Sequence, residues 1–157
     1  MESIHPCLWF DNNALEAAEF YTGIFPDSRI LNVTHYSKDM PMPASTVLTV
    51  DIEIRGVRLM LLNGGPLFQF NESISLVCPC ANQAEIDEFW DKLLSGGGQP
   101  VQCGWLKDRF GVSWQVSPAG FGEMFANGTE EQRERWMAAM MPMVKLDINV
   151  LMAAWNG

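Results

Sequence analysis

Apolar positions recur along the chain with two different periods. Residues 4–10 are β-formers and aromatics, ended by the turn formers Asp11-Asn12-Asn13, and they read as a strand. Ala14, Ala17, Ala18, Tyr21, Ile24 and Phe25 then follow at helical spacing on one face, and Pro26 closes the helix. Three strands are expected next, over 28–36, 46–54 and 57–63. Arg55-Gly56 fits the two-residue turn of a hairpin, and the proline-rich segment 38–43 reads as a loop. After Gly64-Gly65-Pro66 the order restarts. Residues 72–78 read as a strand, and Ile86, Phe89, Trp90, Leu93 and Leu94 form a second helical stripe ended by Ser95-Gly96-Gly97-Gly98. Short strands are expected near 100–101, 104–107 and 113–117, with Asp108 to Gly111 as a hairpin loop.

The two halves repeat. Asn13 with Glu16 and Asn82 with Glu85 each place a helix-capping residue three positions before an acid. Phe20-Tyr21 and Phe89-Trp90 follow at matching distances, as do Ile24-Phe25 and Leu93-Leu94, so with the strand before each helix four features recur at an offset of 69 (82 − 13) residues. Such register predicts a duplicated β-α-β-β-β unit, the first over about 1–66 and the second over about 70–120. A helical tail over 121–157 completes a single α+β domain. In that tail, Thr129 with Gln132 forms a capping-box pattern before a helix over 130–141, and Asp147 can cap a last short helix. Met137, Met140, Met141, Met143 and Met152 make the tail methionine-rich, which suits packing onto the core or an adaptable surface for a partner.

Composition narrows the function. The chain has 157 residues, 48% of them hydrophobic and 18% charged, which is globular. The apolar stretch 57–62 is interrupted by Arg58 and, like every other in the chain, is too short to span a bilayer. The start of the chain has no basic segment followed by a long apolar one, so a cytoplasmic setting is expected. A net charge of −9 argues against nucleic acid as a partner. Cys78-Pro79-Cys80 lacks the spacing of redox or zinc pairs, and its thiols read as core side chains. No G-x-S-x-G, H-E-x-x-H or P-loop pattern occurs.

The run Cys7 to Asn12, then Glu16 to Tyr21, resembles the opening of the PhnB-like family. The block Cys103-Gly104-Trp105-Leu106 through Trp114-Gln115 is the most specific part of the likeness, and the tail from Met140 through Ala154 is similar too. This family belongs to the vicinal oxygen chelate superfamily, with glyoxalase I, extradiol dioxygenases and fosfomycin-resistance proteins. The resemblance implies paired βαβββ modules, each curving a sheet around a cavity, and a homodimer. Members often carry the name 3-demethylubiquinone 3-methyltransferase. The sequence itself lacks the Gly-rich loop and following acid that nucleotide-type cofactors need.

Active members of the superfamily hold a divalent metal with His and Glu side chains from the first and last strands of each module. By that resemblance His5 matches the first ligand position. Gln115, Leu61 and Ser73 fall at the other three, where leucine cannot ligate and glutamine and serine are weak ligands. No cofactor is therefore expected, and His5 is the best single candidate for a metal. Trp9 and Trp105, with Trp114, Phe68 and Phe70, are candidates to line a cavity for a small organic ligand. His5 with Cys7 is the one local pairing that could make a Cys/His nucleophile. Three readings follow: a small-molecule-binding protein of glyoxalase fold, a metal-dependent lyase, dioxygenase or transferase, and an interaction protein docking through its Met-rich helices.

Overall fold

The computed structural model describes residues 4–157. The chain divides into two compact units, Met1–Phe70 and Asn71–Gly157. The first unit contains β1 (Cys7–Phe10), α1 (Ala14–Ile24), β2 (Ser28–His35), β3 (Val47–Ile54) and β4 (Val57–Asn63). Its sheet has the order β1-β4-β3-β2, with β1 parallel to β4 and the other pairs antiparallel. Arg55 and Gly56 both have positive φ, 46° and 84°, as the tight turn between β3 and β4 requires.

One face of this sheet is the core. Leu8, Phe10, Val50, Ile52, Leu59 and Leu61 are buried on it beneath Ala14, Ala17, Ala18 and Tyr21 of α1. The three alanines let the helix lie close to the strands. The start of α1 departs from expectation. Asn13 makes no side-chain cap bond, because its φ of −115° and ψ of 24° are not the extended geometry a cap needs. Buried Asn63, at the end of β4, takes over: its Oδ1 accepts from the Ala14 amide at 2.8 Å and its Nδ2 donates to the Val47 carbonyl at 3.0 Å.

The second unit repeats the plan with β5 (Leu76–Cys80), α2 (Gln83–Leu94), β6 (Gln99–Pro100), β7 (Trp105–Lys107) and β8 (Ser113–Pro118). The sheet order is β5-β8-β7-β6, with β5 parallel to β8. Helices α1 and α2 begin 69 (83 − 14) residues apart, as the repeat predicts. Here the asparagine cap forms: Asn82 Oδ1 accepts from the Glu85 amide at 3.0 Å, and Glu85 Oε2 accepts from the Ala81 amide at 2.8 Å. Strand β5 starts at Leu76 rather than 72, because Asn71 Oδ1 draws the Ser73 amide into a turn at 3.0 Å. It then runs through Pro79, which an edge strand tolerates. Cys78 and Cys80 are buried, as their alternation suggests.

Asp108 organises the hairpin between β7 and β8. Its Oδ1 accepts from the Phe110 and Val112 amides at 2.9 and 3.0 Å, and its Oδ2 accepts from Trp114 Nε1 at 2.9 Å. The carboxylate is only 3% exposed. Beyond β8, α3 (Phe121–Asn127) begins at Gly120, whose φ of 77° starts the helix sharply. The helical tail expected over 121–157 thus starts with a short helix that no capping pattern in the sequence singled out. Helices α4 (Glu130–Met140) and α5 (Ile148–Asn156) follow, with the Thr129–Gln132 capping box and the Asp147 cap both formed.

Asn63→Ala and Asp108→Ala each strand buried partners, so each should cost about 2–3 kcal/mol of stability. A lower urea midpoint at unchanged slope checks this; a midpoint equal to that of the parent chain would show that neither side chain anchors its unit.

Candidate functional site

The second unit encloses a cavity of about 420 Å³. Its floor is built by strand alternation. Along β8, Trp114 and Val116 are buried on the helix-facing side, so Gln115 and Ser117 face the other way. Gln115 pairs with Val77 on β5 and Trp105 on β7, and this cross-strand row lines the cavity. Gln115 Nε2 donates to Ser75 Oγ at 2.9 Å, which fixes its carboxamide. Phe121, Trp136, Met140 and Leu146 of the tail also line the space.

The tail is held in place by backbone. Cys103 and Gly104 both adopt left-handed conformations, with φ of 60° and 80°. Their amides donate to the carbonyls of Met143 and Val144, each at 2.8 Å, while the Gly104 carbonyl accepts from Val116 at 2.8 Å. A Cβ at position 104 would sit 2.8 Å from the Val116 oxygen and 2.9 Å from Leu146 Cδ1, so only glycine fits. The Cys-Gly-Trp-Leu block thus marks where the tail docks. Gln83 on α2 adds a reciprocal clip, donating to the Leu146 carbonyl at 3.1 Å and accepting from the Ile148 amide at 2.8 Å.

None of the thirteen residues lining the cavity is charged. Charged side chains of the second unit pair with one another. Lys145 pairs with Asp87 at 2.7 Å, and Lys107 pairs with Glu72 at 2.5 Å. The hydrogen bond from Lys145, followed by that from Gln83, holds the Asp87 carboxyl below its ordinary range. The hydrogen bond from Lys107 does the same for Glu72.

Of the residues picked out by sequence, the structure brings Trp105 and Gln115 together on this floor. Ser73 lies instead in the turn before β5, with its hydroxyl on Asn71 Oδ1 at 2.5 Å; Ser75 is the serine beside Gln115. Trp114 faces α2 and is tied to Asp108, so it does not line the cavity. The remaining candidates belong to the first unit. Leu61 is fully buried on the face that α1 covers, the same face as Leu59 and Asn63, and so belongs to the core rather than to an open sheet surface. His5 is half-buried and precedes the first strand, which begins at Cys7. Trp9 is half-buried, donates from Nε1 to the Gly65 carbonyl at 2.8 Å and packs edge-on against Phe68 at 5.0 Å. Phe70 packs on Phe10. Partial burial, and then the Asp51 carboxylate, push the Cys7 thiol up, which opposes the thiolate a Cys/His nucleophile needs. Sequence reasoning missed Trp136, although a lone tryptophan among the charged residues of α4 marks the buried side of that helix.

A metal of the superfamily type needs three or more converging ligands. Among the described residues, no group of three or more His, Cys, Asp or Glu side chains is arranged to hold one. Gln115 is held by Ser75, a neutral pair unsuited to a tight divalent site. The residues present do not fit the metal, and no chemistry is routed through it here.

Comparison with known proteins places this geometry. Residues 2–117 match the 3-demethylubiquinone-9 3-methyltransferase family. The chain belongs to that family. A solved family structure, the putative 3-demethylubiquinone-9 3-methyltransferase or PhnB protein from Bacillus cereus, is 30% identical, with a TM-score of 0.68 over 75% of this chain and 100% of its own. Protein PA1353 from Pseudomonas aeruginosa is 22% identical, with a TM-score of 0.60 over 75% of this chain and 98% of its own. The fosfomycin resistance protein FosX from Mesorhizobium loti shares the fold, with a TM-score of 0.58, 10% identity and coverage of 81% of this chain and 99% of its own. No curated protein sequence matches the chain. This member of the 3-demethylubiquinone-9 3-methyltransferase family therefore has the vicinal oxygen chelate fold. Its family match ends at residue 117, so the tail residues over the cavity lie beyond it. No helix among the described residues is long and apolar enough to cross a membrane.

The Lys145–Asp87 pair links the tail to α2. Because the Asp87 carboxyl is lowered in the folded chain, its contribution is present above the ordinary carboxylate range and is lost as pH falls through the folded value. Asp87→Asn should flatten the fall of stability in thermal unfolding as pH drops below the ordinary carboxylate range. Parallel pH curves for the two proteins would show that the pair contributes nothing.

Proposed function

We propose that this protein binds a small, uncharged, largely apolar organic molecule in the cavity of its second unit. The observation that carries the reading is the Val77–Gln115–Trp105 row lying open to a space of about 420 Å³ with tail residues on its other side. That volume falls in the range of about 300–1,000 Å³ typical of ligand sites, and an apolar lining with a few placed polar groups is their usual chemistry. Gln115, Ser117 and Cys103 supply the polar groups. The resemblance to the PhnB-like family supports a homodimer as the working form, and four cysteines with no disulfide between them support a reducing, cytoplasmic setting.

The site as described offers binding and orientation. Among the described residues, its lining has no histidine, carboxylate or lysine to move a proton. The metal-dependent and tail-docking readings have less support: the donor set does not fit a metal, and Trp136, Leu146, Leu151 and Trp155 of the tail are buried in their own unit.

Binding only to the folded chain stabilises it, by about 2.7 kcal/mol at a ligand concentration one hundred times Kd. A saturating neutral aromatic ketone, 2-acetylnaphthalene, should therefore raise Tm and quench tryptophan emission. Ser117→Phe, which fills the cavity, should abolish both effects. Identical responses from the two proteins would place binding elsewhere and sink the reading. Metal analysis of protein purified without chelator should find well under one divalent ion per chain. A full equivalent that disappears in His5→Ala would restore the metal-dependent alternative.

A further inference from the structure

Gln115 and Ser117 both line the cavity and both are half-buried, while Val116 between them is buried on the opposite face of β8. Strand alternation puts the two polar side chains on one face, about 7 Å apart along the strand. A serine hydroxyl is one bond from Cβ, so Ser117 Oγ stands on that face whatever its rotamer. Neither residue has used up its hydrogen-bonding capacity. Gln115 spends Nε2 on Ser75 Oγ at 2.9 Å, and its Oε1 has no partner among the described residues. Ser117 Oγ has none among them either. The described side-chain polar atoms that lack a partner because they are shut away from solvent belong to Asp51, Arg58, Ser113 and Trp136. The oxygens of Gln115 and Ser117 are therefore unpartnered and accessible.

The neighbours of this pair are apolar. On β5, Val77 stands opposite Gln115 and Pro79 opposite Ser117, and Trp105 of β7 flanks Gln115 on its other side. The three also line the cavity. Ser75 lies just upstream of β5, which runs parallel to β8, so its bond draws the carboxamide away from Ser117 and lengthens the gap between the two polar groups. The floor is thus a polar position, an apolar interval and a second polar position.

We propose that the cavity selects neutral molecules with a hydroxyl at each end of an apolar body, one hydroxyl meeting Gln115 and the other Ser117. This rests on the binding reading above and adds the ligand's chemistry to it. A hydroxyl both donates and accepts, so it answers an amide oxygen and a serine hydroxyl alike. A wholly apolar ligand would take both protein groups out of water unpaired, which is costly. A carboxylate or ammonium would be buried with no counter-charge, since no residue of the lining is charged. Two hydroxyls on adjacent carbons can reach only one of the two positions.

Three matched probes, all neutral at pH 7, test the proposal by titration calorimetry: 2,6-dihydroxynaphthalene, its 2,3 isomer and 2-naphthol. One further buried hydrogen bond corresponds to about fivefold in affinity. The 2,6 isomer should bind about fivefold more tightly than either the 2,3 isomer or 2-naphthol. In Ser117→Ala and in Gln115→Met that advantage over 2-naphthol should vanish, because only one polar position remains. The comparison of isomers on the unaltered chain stands even if a variant folds poorly. Equal affinity of the two isomers, equal affinity of the 2,6 isomer and 2-naphthol, or an advantage that survives in both variants would each overturn the proposal while leaving the cavity as a binding site. Failure of all three probes to bind would overturn the binding reading itself, and this inference with it.

Discussion

The second unit depends on one close approach, the backbone of Cys103-Gly104 against the backbone of Met143-Val144. Two amide-to-carbonyl bonds of 2.8 Å join them, and the Gly104 carbonyl continues into β8 through Val116. The tail is thereby coupled to the sheet through main chain, which leaves side chains on both sides free to define a space. Had position 104 carried a Cβ, the Val116 oxygen and Leu146 would have been displaced together. The left-handed conformation and the lack of room point to the same residue type, so glycine there is required twice over. Cys103 pays part of the conformational cost, since a non-glycine residue at φ 60° is itself disfavoured.

Given that coupling, the cavity follows from ordinary strand geometry. Side chains of β8 alternate, so its buried set packs on α2 and its other set faces the tail. The tail does not seal that face completely, because Trp136 is engaged in an aromatic cluster with Phe121, Phe125 and Trp155 rather than inserted between the strands. Arg135 steadies the cluster from outside, donating to the carbonyls of Ala154 and Trp155 at 2.7 and 2.9 Å at the end of α5. Arg133 does the same for the end of α3 through the Phe125 and Gly128 carbonyls, at 3.1 and 2.6 Å. These bonds satisfy helix-terminal carbonyls that would otherwise lack partners.

Much of the fold was legible in the sequence, because its signals are periodic and local. The 69-residue offset, the Arg55-Gly56 turn and the Thr129–Gln132 box each depend on residues close together in the chain. The candidate site was legible only in part, for three physical reasons. In β4, Leu59 through Leu62 are all apolar, so periodicity could not say which of them face α1, and Leu59 and Leu61 proved to be the inward pair. Near β5, the Asn71 turn delayed the strand, which moved the relevant serine from 73 to 75. The cap of α1 came from Asn63, whose partner is far away in sequence, while the local candidate Asn13 went unused. Each miss is a tertiary contact overriding a local rule.

The two modules share a plan and differ in what their matching positions do. In the first unit an asparagine side chain from the last strand satisfies the helix start, so that strand end is committed to structure. In the second unit the helix caps itself through Asn82, and the last strand is released from that duty. Its Gln115 then bonds sideways to Ser75 and faces the cavity. Duplication supplied two copies of one scaffold, and only the second caps its helix with the residue that precedes it. The tail covers that same strand face, and a neutral amide, rather than an acid, suits a space with no charged side chain in its lining. The polarity of the site and the packing of the tail are thus two consequences of one arrangement: a sheet face covered closely enough to exclude charge and loosely enough to leave Gln115 and Ser117 lining a space.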